Sequence, residues 1–168
     1  PVLPVTAPAV RLQGVQRRTL TDRVELPLRV LAWPTPALLT PGDAEMDLVA
    51  SVLAGSKNSR LYKRLVYDEQ IATQVTASQM SQRLGSTFMI QFMPRPGHTL
   101  DEIQRAVDEE LDRLRREPPR QQELDRSKRG LVKRRTPEAG EEDEHRNAGA
   151  VGRRNKLHQT ARAGLAET

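Results

Sequence analysis

The sequence predicts an α+β domain: an antiparallel sheet with helices packed on one face. Three short runs alternate apolar and polar residues, as half-buried strands do, and between them stand segments with apolar residues at helical spacing behind recognisable caps. The order is strand, helix, short helix, strand, strand, helix, helix. That order lets the strands pair antiparallel while the helices gather on one side. The length of 168 residues suits one domain.

Val24, Leu26, Leu28 and Val30 alternate with Arg23, Glu25, Pro27 and Arg29, so a first strand is expected from Arg23 to Trp33 with the former set buried. Pro27 has no N–H to give, which puts this strand at an edge or a bulge. Thr40-Pro41-Gly42-Asp43 is a helix start, with the Thr40 hydroxyl as cap and Pro41 at the first helical position. Leu48, Val49, Val52 and Leu53 repeat at helical spacing behind it, and Gly55 stops the helix. A short helix follows, capped by Asn58 or Ser59. Its buried stripe is Leu61, Leu65 and Val66, and its solvent side Lys57, Arg60, Lys63 and Arg64.

Thr73-Val75-Ala77 and Phe88-Ile90-Phe92 alternate on either side of a turn at residues 81–85 and predict a hairpin. Thr99 and Glu102 form a capping box for a long helix with Leu100, Ile103, Val107, Leu111 and Leu114 on one face. On its other face Asp101/Arg105, Glu109/Arg113 and Asp112/Arg116 have the spacing of i,i+4 ion pairs. Pro118-Pro119 breaks this helix, and another is expected from about Gln121 to Lys133.

Both ends differ from this middle. Residues 1–20, with Pro1, Pro4 and Pro8, read as a proline-rich linker, and the absence of an initiator Met predicts a piece of a longer product. Residues 136–168 show no sustained period and carry the acidic run 141–144, so a poorly ordered or frameshifted tail is expected there.

Basic residues outnumber acidic ones 27 to 22, but the two signs are mixed: residues 1–97 hold 11 and 7, residues 98–135 hold 11 and 9, and residues 136–168 hold 5 and 6. A uniform basic arm of the kind that neutralises many phosphates is therefore excluded. With no cysteine there is no disulfide, thiol nucleophile or thiolate metal site. No apolar run approaches the ~20 residues that span a bilayer.

Glu141-Glu142-Asp143-Glu144-His145 differs by one residue from the zinc motif His-x-x-Glu-His, in which two imidazoles one helical turn apart hold the metal beside a general base. Its flanks lack an apolar stripe to bury such a helix, so it reads as acidic low complexity. His98 and His158 read as exposed loop residues. Neither a Gly-x-Ser-x-Gly elbow nor a phosphate loop is present. The stripe Lys57, Arg60, Lys63 and Arg64, and the run Arg126 to Arg135, could meet an anionic partner such as nucleic acid, but acidic residues interspersed among them favour solvated helix faces.

The block from Leu53 to Leu65, Leu-Ala-Gly-Ser-Lys-Asn-Ser-Arg-Leu-Tyr-Lys-Arg-Leu, followed by Glu69-Gln70-Ile71-Ala72, resembles a segment of the non-catalytic domain of insulinase/pitrilysin zinc metallopeptidases, which include the mitochondrial processing peptidases. The flanking elements occur in that family's order over residues 21–135, an incomplete domain. The resemblance implies half of a clamshell that closes over a peptide held by an HxxEH-bearing domain or subunit, with zinc in that partner only. It implies an Arg and a Tyr, seven residues apart, that polarise the substrate carbonyl in active members; the matching positions here are Val66 and Thr73, which cannot do so. On this resemblance the chain has no catalytic or metal-binding residues and is not an enzyme on its own. Arg60, Tyr62 and Arg64, with Thr73, Val75 and Ala77 on the hairpin edge, become candidates for peptide or partner binding. A small basic module for anionic partners is the alternative. The compartment is open, and the family allows a periplasmic or exported parent.

Overall fold

The computed structural model describes residues 12–135. The linker's first residues, the Glu141–His145 near-match, His158 and the expected tail lie outside these. One compact unit extends to Lys128, and the described part of a second, Arg129–Arg135, is the last stretch of a helix.

The three expected strands are β1 (Arg29–Thr35), β2 (Ala72–Met80) and β3 (Ser86–Pro94), in the order β1-β3-β2 with both pairings antiparallel. The helices are α1 (Asp43–Ala54), α2 (Arg60–Tyr62), α3 (Leu100–Arg116) and α4 (Gln121–Arg135), and α2 runs on as a π-helical segment, Lys63–Asp68. The wider π turn closes with Glu69 N–H donating to Arg64 O at 2.8 Å, five residues back.

Register decides which residues fill the core. Leu31 lies opposite Ile90 and packs against the core, and Val75, Phe88, Ile90 and Phe92 are at most 3% exposed. Below them sit Leu53, Leu61, Leu65, Ile103 and Val107, each fully buried and each worth roughly 1.5–3 kcal/mol of apolar transfer. On α3, Leu100, Leu111 and Leu114 flank this core as expected.

The first strand departs from expectation. It starts at Arg29, runs through Pro34 to Thr35, and shows the opposite face: Val24, Leu28 and Val30 are 65%, 54% and 46% exposed. Pairing with β3 decides the face, because Leu31 opposite Ile90 packs against the core and Val30 beside it therefore points the other way, while residues 23–26 would fall beyond the end of β3 at Pro94. Pro34 is tolerated because β1 is an edge strand of the described sheet.

The start of α1 is also shifted. Gly42, not Thr40, is the cap, at φ 98° in the left-handed region, with its N–H donated to the Glu45 carboxylate at 3.1 Å. The Thr40 hydroxyl donates to Ala37 O instead. Asp43 turns inward, 6% exposed, accepting from Leu39 N–H, Gln79 Nε2 and Ser81 Oγ at 3.1, 3.1 and 2.6 Å, and so ties the helix start to the end of β2. At the other end Gly55 is needed for space, since a Cβ there would come within 2.6 Å of Ser51 O. The capping box at Thr99 forms as expected.

Candidate functional site

The six candidate residues fall in two places. Thr73, Val75 and Ala77 lie on β2, an edge strand of the described sheet. Val75 is 2% exposed and Ala77 packs against the core, so their side chains are committed inward. Thr73 is exposed at the irregularity between Ala72 and Gln74, with its hydroxyl donating to Met93 O at 3.3 Å. Gln74, Thr76 and Ser78 stand on the face of this strand away from the core.

Arg60, Tyr62 and Arg64 belong to the helical layer instead. The solvent side expected for Arg60 and Arg64 is not observed: their side chains are 14% and 28% exposed. Arg60 donates a bidentate pair of hydrogen bonds to Glu123 of α4, Nε to Oε1 at 2.9 Å and Nη2 to Oε2 at 3.0 Å. Its Nη1 is buried without a hydrogen-bond partner, 3.8 Å from the Glu110 carboxylate of α3, itself only 5% exposed. Arg64 bridges Glu69 and Glu109, each at 2.6 Å, and donates to Ala106 O at 3.2 Å. Tyr62 packs against the core and against Tyr67, ring centres 5.7 Å apart. These arginines thus join α2 and the π segment to α3 and α4, and leave half of the predicted basic stripe neutralised.

The electrostatics follow from these pairs. The Arg60 guanidinium, by hydrogen bonding, holds the Glu123 carboxyl down at about 2, with help from the Arg120 N–H that also donates to Glu123. Arg60 is raised above its ordinary value, first by its hydrogen bonds to Glu123. His98 lies 3.1 Å from Glu102 and lowers that carboxyl.

Two residues here escaped sequence reasoning although both carried a signal. Glu110 stands on the apolar stripe of α3, seven residues after Ile103 and three after Val107, where an acidic residue calls for a buried partner. His98 precedes Glu102 by four. At the positions implied for a carbonyl-polarising pair, Val66 packs against the core and Thr73 is occupied as described, so no such pair forms. Among the described residues no group of three or more His, Asp or Glu is placed to hold a metal ion. No helix among them is long and apolar enough to cross a membrane.

A family model described as the peptidase M16 inactive domain matches residues 1–131. Among solved structures, an inactive peptidase domain from Bordetella parapertussis superposes with a TM-score of 0.60 at 26% identity, covering 89% of this chain and 84% of that one. A protease from Helicobacter pylori matches with a TM-score of 0.62 at 24% identity over 67% of this chain, and a peptidase M16 inactive domain from Pseudomonas fluorescens with 0.58 at 22% over 75%. The match spans only 27% and 28% of those two chains. No curated protein matches significantly.

Proposed function

The chain belongs to the peptidase M16 inactive-domain family, and on that footing we propose that it is a closing domain, completing a peptide-binding chamber with an HxxEH-bearing domain or subunit. The observation that carries this reading is that β2 is an edge strand of the described sheet, exposed at Thr73, Gln74, Thr76, Ser78 and Met80 while Val75 anchors it to the core. An extended peptide can add to such an edge as a further strand, with main-chain hydrogen bonds supplying affinity without sequence restriction. Gln74, Thr76 and Ser78 would set which side chains pass beside it.

In this role the chain contributes binding and enclosure, not bond breaking. Zinc and the general base belong to the HxxEH-bearing partner, and the two carbonyl-polarising donors that active members carry have no counterpart at Val66 and Thr73. A domain of this kind raises the rate by holding the peptide in register and excluding water, which are effects of positioning.

Co-expression of the full chain with the HxxEH-bearing reading frame from its own locus tests this. A complex is expected, with peptide cleavage at least about tenfold above that of the catalytic half alone. A catalytic half that is fully active by itself and forms no complex with this chain would overturn the reading.

A further inference from the structure

We propose that the cleft between the π-helical segment and the start of α4 binds the carboxylates of an acidic peptide. The cleft has a volume of about 520 Å³, and its walls carry six basic side chains against four acidic ones. Which of these charges are already used decides what it can hold. Arg60, Arg64 and Arg113 are each paired to carboxylates, and their pairs take up Glu110, Glu123 and Glu117. The heads of Lys63, Arg120 and Arg126 form no side-chain hydrogen bond or ion pair among the described residues, and they face one uncommitted carboxylate, Asp68.

The backbone that carries Lys63 and Arg120 is held by the paired side chains. Arg60 clamps Glu123 bidentately, and Glu123 in turn accepts from Arg120 N–H, so the first turn of α4 is held against the π segment that carries Lys63. A ligand then has only the exposed side-chain heads to order, not the helices that carry them.

The ligand class follows from the distribution of charge. Each spare cation is exposed, and an exposed ion pair is individually weak, so a lone monoanion gains little here. Several carboxylates on one chain gain from each other, because the first contact raises the local concentration of the next. A nucleic acid suits the cleft poorly: Glu109 and Glu117, each 66% exposed, break up the positive surface that a continuous phosphate backbone would need. This inference does not rest on the chamber reading, since it concerns the helical layer and not the β2 edge.

The test is fluorescence anisotropy of labelled hexaglutamate with the full 168-residue chain. Binding is expected, weakening at least about fivefold between about 50 and about 200 mM salt. The variant K63Q/R120Q/R126Q should bind roughly tenfold more weakly, with its melting curve unchanged. The variant R17Q/R18Q/R23Q removes the same charge from the segment before β1 and should bind as the parent does. Equal losses in both variants would reduce the effect to net charge and overturn the site. Absent binding, or displacement by inorganic phosphate or a deoxythymidine oligonucleotide at lower concentration than by unlabelled hexaglutamate, would overturn the peptide assignment.

Discussion

Beneath the sheet, Val75, Ile90 and Phe92 meet Leu61, Leu65, Ile103 and Val107, all at 2% exposure or less, while at the side of the same helices Arg60, Glu110 and Glu123 join α2, α3 and α4 through charge. The apolar region is held by many contacts, none directional, so each residue is one of several. The charged region depends on one guanidinium. Arg60 answers two carboxylates at once, and its loss would strand Glu110 in the interior. The difference separates what folds the chain from what fixes its helices relative to each other.

Truncating the core should have the larger effect. Phe92→Ala removes a fully buried ring from the central strand, and urea unfolding should show a loss of about 3–5 kcal/mol. A loss below about 1 kcal/mol would mean that the sheet does not depend on this core. Arg60→Ala should cost about 2–4 kcal/mol, because breaking a buried pair leaves an uncompensated charge. Adding Glu110→Met to that variant should recover a good part of the loss, since the stranded carboxylate is then gone. If it recovers nothing, Glu110 is indifferent to Arg60, and the ion pair at 3.8 Å is not what unites α2 with α3.

The same division governs what could be read from the sequence. Apolar periodicity located α1, the hairpin and the buried stripe of α3, because a side chain's place on a helix or strand is a local property. It failed at β1, where Val24, Leu26, Leu28 and Val30 have the right period but the register is set by β3, more than fifty residues later. Charge was less legible still. The spacing of Glu109 and Arg113 predicted a pair within α3, yet Glu109 reaches Arg64 and Arg113 turns to Glu117. Asp101 likewise leaves Arg105 for Arg29, 72 residues away, at 2.6 Å. Local pairs on an exposed helix are worth only a few tenths of a kcal/mol, so any better-placed partner brought up by the fold displaces them. The separation of the six candidate residues into a sheet edge and a helical layer was not legible in the sequence, because it is made by tertiary packing.

The smallest expected effect is a pH dependence confined to the charged region. The Glu123 carboxyl is held at about 2 in the folded chain, below its ordinary 4.5, so folding favours its ionised form. Its contribution is therefore fully present above about pH 4.5 and is lost as pH falls through that value toward about 2. Because the side chain is 27% exposed, solvent screening limits this to roughly 1–2 kcal/mol. Glu123→Gln should remove that part of the acid sensitivity while leaving the rest, as seen by urea unfolding at pH 6 and pH 3. Asp101 and Glu102 are also lowered, by Arg29 and His98, but both are solvent-exposed and should hardly change the profile. Parallel profiles for the variant and the parent would show that the Arg60–Glu123 clamp contributes nothing measurable, and the attachment of α4 would then have to come from its apolar contacts.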